Sequence, residues 1–109
     1  MKKILIALVA LLSVVACSKE SFVVWQLPSQ IDSIGNSYVV QTVGGKVIVM
    51  DGGFAAEKDY LRGFIDALGG KVDAWIISHP HDDHITALIA LLENPNGLKI
   101  DKVYHSRFP

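Results

Sequence analysis

The sequence predicts one small α/β domain, in the order strand, β-hairpin, helix, strand, helix, strand. Three observations carry that expectation. Short runs rich in β-branched and aromatic residues recur along the chain. Two apolar stripes at helical spacing lie between them. Glycine pairs and prolines stand at the boundaries, where turns and helix stops need them.

The elements follow in order. Residues 22–27 include Phe22, Val23, Val24 and Trp25 and read as the first strand, which Pro28 ends. Residues 30–37 are polar, and Gly35-Asn36 marks a loop. Residues 37–43 and 46–50 are apolar runs around Gly44-Gly45. That pattern predicts a hairpin with a two-residue primed turn, whose centre needs positive φ. Asp51-Gly52-Gly53 closes the third strand. Residues 55–68 read as a helix, because Leu61, Phe64, Ile65 and Leu68 recur at i, i+3, i+4 and i+7. Glu57, Lys58, Asp59, Arg62 and Asp66 fall off that stripe and form a solvated face. Gly69-Gly70 supplies a left-handed stop. Residues 72–78 are nearly all apolar in their middle, as a strand covered on both faces would be. Ile85, Leu88, Ile89 and Leu92 are the stripe of a second helix, broken by Asn94-Pro95-Asn96-Gly97. Residues 99–106 read as the last strand.

The chain has 109 residues and a net charge of −1, so it holds at most one domain and shows no basic excess of the kind that nucleic-acid binders carry. Its N-terminus stands apart from the fold. Lys2-Lys3 precedes an apolar stretch at 4–15, too short to span a bilayer and of the length of a signal peptide. The stretch ends Val14-Val15-Ala16-Cys17, and Cys17 is the only cysteine. This resembles a bacterial lipoprotein signal, in which the cysteine is lipidated and becomes the first residue. The other reading is an ordinary secretory signal with an incidental cysteine. The expected organisation is a signal peptide at 1–16, a lipidated Cys17 and tether at 17–21, and a domain at 22–109. Ser18 after the cysteine suggests the outer membrane, facing the periplasm. A single cysteine forms no intramolecular disulfide.

The chemistry concentrates in His79-Pro80-His81-Asp82-Asp83-His84, three imidazoles and three carboxyl-bearing or turn-fixing neighbours packed into six positions. The run follows the fourth strand and precedes the second helix. Imidazole with carboxylate suits zinc, and iron or manganese less exclusively. His79 and His81 are two apart and share a side in an extended chain, whereas Asp83 and His84 are adjacent. One ion does not easily use all four groups. Two neighbouring ions do: His79 and His81 on the first, Asp83 and His84 on the second. Asp83 is also a candidate N-cap of the second helix. Asp82 reads as a solvated turn residue and His105 as a strand-end residue. Pro80 stiffens the turn.

His79-x-His81-x-Asp83-His84 after a buried strand resembles the signature of the metallo-β-lactamase superfamily. The resemblance implies the N-terminal half of a four-layer αββα sandwich. It implies a dinuclear zinc hydrolase in which metal-bound hydroxide attacks an ester, phosphodiester or amide. His79, His81, Asp83 and His84 would be ligands, with Asp83 also orienting the nucleophile. Asp51 would support the metal loop by accepting hydrogen bonds, or stand there as a plain turn residue. The segment 37–53 and the strand ending Ile77-Ser78-His79-Pro80 look most like the hydrolase domain of competence-type DNA-uptake proteins. That likeness suggests a phosphodiester or nucleic-acid substrate, although no basic patch accompanies it.

Full members of the superfamily carry further ligands from a second half, and 25 residues follow His84 here. The first expectation is therefore the front part of a hydrolase. A second is a homodimer, each copy supplying half of a sandwich. A third is a non-catalytic lipoprotein that only binds metal.

Overall fold

The computed structural model describes residues 21–107. The expected signal peptide and Cys17 lie outside the described residues. The chain forms strands β1 (Val23–Gln26), β2 (Ser37–Gln41) and β3 (Val47–Asp51), a 3₁₀ turn at Ala55–Glu57, and helix α1 (Lys58–Ala67). It continues with β4 (Lys71–Val72), β5 (Ala74–Ile77), helix α2 (Asp82–Glu93), β6 (Lys99–Ile100) and β7 (Val103–His105). The main sheet has the order β1-β2-β3-β5-β7. β1, β2 and β3 run antiparallel, while β5 and β7 run parallel to β3. β4 and β6 make a small parallel pair beside it. The predicted α/β class and order are what the chain adopts.

The details depart from expectation at four places. The hairpin does not use Gly44-Gly45 as a primed turn. Its turn is closed by Gly45 N–H donating to the Thr42 carbonyl at 2.9 Å, and of the two glycines only Gly45 has positive φ. Thr42 Oγ1 holds the exit by accepting Lys46 N–H at 3.1 Å. The strand expected at 72–78 breaks at Asp73, whose carboxylate accepts Val47 N–H at 2.8 Å in place of a ladder partner. The last strand breaks likewise at Asp101-Lys102. Finally, α2 starts at Asp82, earlier than its apolar stripe, so Asp82, Asp83 and His84 form its first turn. His81 is the N-cap residue, in extended conformation, and Asp83 is not.

Alternation along the strands sorts the two faces. Val39, Val47, Val49, Trp75 and Ile77 join Leu61, Ile65, Leu88 and Leu91 in one buried cluster, so both helices pack on that face. Trp25 meets Phe64 edge-on at 5.3 Å, which seats β1 on α1. The opposite face carries two cross-strand rows in register. Val24, Val40, Ile48 and Ala74 form one, and Tyr38, Met50, Ile76 and Tyr104 form most of the other. Val24, Met50 and Tyr104 are exposed there, which gives this face an apolar character open to a second layer. Among the described residues no helix is long and apolar enough to cross a membrane.

Candidate metal centre

β3 and β5 run parallel and side by side. Their carboxyl ends carry the polar groups, at the sheet edge where open α/β folds bind ligands. Asp51 is the last residue of β3. Ser78 follows β5, and His79-Pro80-His81 leads from it into α2. His105 ends β7, level with Ile77.

The chain turns sharply after β3. Asp51 has φ +62, a region that Asp tolerates better than most residues, and Gly52 and Gly53 follow at +141 and +89. A Cβ on Gly52 would lie 3.1 Å from side-chain atoms of both Leu61 and Trp75, so the turn presses against the core. The Trp75 indole N–H donates to the Asp51 carbonyl. Around this turn, Gly52 N–H donates to the Asn36 carbonyl at 3.0 Å and Ala87 N–H to the Gly53 carbonyl at 3.1 Å. Asn36 N–H in turn donates to the Asp83 carbonyl at 3.3 Å. The Glu57 carboxylate, itself buried, accepts Phe54 N–H at 3.2 Å and Gln30 N–H at 3.0 Å. The loop before β2, the turn after β3 and the start of α2 are thus tied together.

Asp51 is fully buried and surrounded by donors. Its Oδ1 accepts Ser78 N–H at 2.8 Å, and the Ser78 hydroxyl lies 3.0 and 2.9 Å from the two oxygens. Its Oδ2 lies 2.8 Å from His84 Nδ1 and accepts the Asn36 amide at 3.3 Å. Burial pushes the Asp51 carboxyl up. The Ser78 backbone N–H, the His84 ring and the Ser78 hydroxyl pull it down and prevail, so it sits below its ordinary value and stays ionised. An ionised carboxylate only accepts, so the His84 proton in that contact is on Nδ1.

The three imidazoles come together. The His79 and His81 ring centroids lie 4.5 Å apart, edge to face, and those of His79 and His84 lie 4.0 Å apart. Asp83 joins them, its Oδ2 3.2 Å from His84 Nε2. The Asp82 main-chain carbonyl accepts the Thr86 hydroxyl at 2.7 Å, and Thr86 Oγ1 accepts Ala55 N–H at 2.9 Å. Ser78, Asn36 and Glu57 were not legible as site residues. The only signal for Ser78 was its place directly before His79.

The donor chemistry fits a borderline divalent cation. Two ligands on one tetrahedral zinc stand about 3.3 Å apart, given bonds of about 2.0–2.1 Å, and His84 Nε2 and Asp83 Oδ2 have that separation. His79 and His84 both engage Nδ1 with protein groups, Ser78 and Asp51, and His84 Nε2 lies beside Asp83. The set is not closed as it stands: among the described residues no group of three or more His, Cys, Asp or Glu side chains is arranged to hold an ion.

A family model for the metallo-beta-lactamase superfamily matches residues 31–100. That span holds Asp51 and the whole histidine cluster. No curated protein matches the chain.

Proposed function

Because this chain belongs to the metallo-beta-lactamase superfamily, a family of metal-dependent hydrolase type, we propose that it binds divalent metal through His79, His81, Asp83 and His84 in the service of hydrolysis. The observation that carries this reading is the convergence of three imidazoles and Asp83 beside a buried, ionised Asp51.

In this proposal His79 and His81 serve a first ion, Asp83 and His84 a second, and zinc is the expected metal. Such a pair of ions supplies an acidified water and polarisation of the scissile carbonyl or phosphoryl oxygen. The chain's own residues do the positioning. Asp51 holds the His84 ring and keeps its Nδ1 protonated. Pro80 fixes its own φ and limits the backbone freedom of His79. Asp83, on the first turn of α2, orients the incoming nucleophile. The substrate we favour is a phosphodiester, on the likeness of 37–53 to competence-type hydrolase domains. Nucleic acid enters only through that likeness. The proposed place of work is the periplasmic face of the outer membrane, through a lipid anchor on Cys17.

The test is a zinc titration of the metal-free chain, followed by hydrolysis assays on a phosphodiester, an ester and a β-lactam. Zinc binding with phosphodiester turnover supports the proposal. No zinc binding at any concentration up to millimolar would overturn it. A second reading, a lipoprotein that binds metal without catalysis, is favoured by the open ligand set among the described residues. It predicts zinc binding with none of the three substrates turned over. A second copy of the chain on the open sheet face is the partner we propose for that case.

A further inference from the structure

We propose that Ser78 is a positioning residue that fixes which nitrogen of His79 carries the proton, and that Asp51 thereby orients two imidazoles at once. The metal consequence of this rests on the function proposed above; the tautomer itself does not.

Ser78 has a single hydroxyl hydrogen. Its Oγ lies 3.0 and 2.9 Å from the Asp51 oxygens and 2.9 Å from His79 Nδ1. Both Asp51 oxygens already act as acceptors, Oδ1 from Ser78 N–H at 2.8 Å and Oδ2 from the Asn36 amide at 3.3 Å, so the hydroxyl hydrogen points to Asp51. The Ser78 oxygen then has only lone pairs to offer His79. A 2.9 Å contact between two acceptors would be repulsive, so His79 Nδ1 must be the donor. The proton is on Nδ1, and Nε2 keeps the lone pair a metal needs.

The backbone makes the relay rigid. Ser78 N–H donates to Asp51 Oδ1 at 2.8 Å, which fixes the residue from its main chain as well as its side chain. His84 receives the same instruction directly, through its 2.8 Å contact with Asp51 Oδ2. One buried carboxylate therefore sets two rings that lie 4.0 Å apart. In water a neutral imidazole prefers its proton on Nε2, the nitrogen that would have to be free. Removing the hydroxyl should let His79 revert to that form.

The experiment is long-range proton–nitrogen NMR on the metal-free full chain, at a pH well above the imidazole range, for wild type, Ser78→Ala and Ser78→Thr. The expected result is Nδ1–H at His79 in wild type, a shift to mostly Nε2–H in Ser78→Ala, and recovery of Nδ1–H in Ser78→Thr, which restores a hydroxyl. A purely structural serine would not move the tautomer. Nδ1–H retained in a folded Ser78→Ala chain overturns the proposal. So does Nε2–H in Ser78→Thr, which decides the matter even if the alanine variant does not fold. Zinc affinity then reads the consequence: a fall of about 10–100-fold in Ser78→Ala, with recovery in Ser78→Thr. If the tautomer moves as stated but no variant binds zinc, the relay stands and the metal reading fails.

Discussion

Asp51 Oδ2 and His84 Nδ1 lie 2.8 Å apart, although 33 positions separate them in the chain. The contact joins the end of β3 to the first turn of α2 and makes a buried carboxylate the hub of the site. Every neighbour of that carboxylate is a donor. Asp51→Asn would put an NH₂ group among those donors and leave buried hydrogen bonds unmade. The expected cost is about 1–3 kcal/mol of stability and about 10–100-fold in zinc affinity. Thermal unfolding and zinc titration of the same variant check the two separately. A variant with wild-type affinity would show that Asp51 only closes a turn.

His81 is the more exposed imidazole and makes no contact to Asp51 or Ser78 among the hydrogen bonds that organise the loop. It can be removed with little harm to the fold. His81→Ala should therefore unfold near the wild-type temperature while its zinc content falls by one ion. Metal analysis of the purified variant reads this, and an unchanged zinc content would remove His81 from the ligand set.

The local half of this site was legible, and of the distant half only Asp51 was. Four residues of two types, fixed in six positions, announced the cluster of His79, His81, Asp83 and His84. Alternation and helical stripes announced the order of elements along the chain and both helices. The relay through Ser78 was invisible, because its hydroxyl matters only once Asp51, 27 positions earlier, is folded against it. The start of α2 was misplaced for a related reason. The polar first turn lacks an apolar stripe, and it is held by long-range bonds, Asn36 N–H to the Asp83 carbonyl among them. Asp73 looked like an interior strand residue, yet its side chain caps Val47 and splits the strand.

Gly53 offers a test of how tightly the turn after β3 is built. Its φ is +89, and an added Cβ would lie 2.7 Å from Glu57 Oε1. Glu57 cannot swing away freely, since its oxygens accept Phe54 and Gln30 N–H. Gly53→Ala should destabilise by at least about 1 kcal/mol, or some 4–8 °C for a domain of this size. A shift under a degree in thermal unfolding would mean that the turn gives way easily.

Cys17 tests the export proposal independently of the fold. Cys17→Ala removes the only thiol available for lipidation. The variant should leave the membrane fraction and become soluble, because the apolar stretch at 4–15 is too short to anchor by spanning. Fractionation with an immunoblot checks it. A variant still in the membrane fraction would sink the lipoprotein reading.

Asp73 supplies the pH dependence. Its carboxylate accepts Val47 N–H at 2.8 Å and faces Lys71 at 3.3 Å and Lys46 at 3.6 Å. The Val47 hydrogen bond holds it below the ordinary 3.8 against the opposing push of burial, and Lys71 and then Lys46 add to the lowering. A carboxyl whose folded pKa is depressed contributes stability above its unfolded pKa, and loses that contribution as pH falls through the folded value. Asp73→Asn keeps an oxygen for Val47 but removes the charge and its titration. The variant should therefore unfold at a lower temperature than wild type near neutral pH, by a constant margin. The margin should narrow as the pH drops below the ordinary carboxylate range and close once Asp73 is protonated. High salt should narrow it too, since Lys71 and Lys46 are both well exposed. Unfolding curves for both proteins from neutral to acid pH decide the matter: a margin that stays constant into strong acid would show that the charge of Asp73 does not stabilise the junction of β4 and β5.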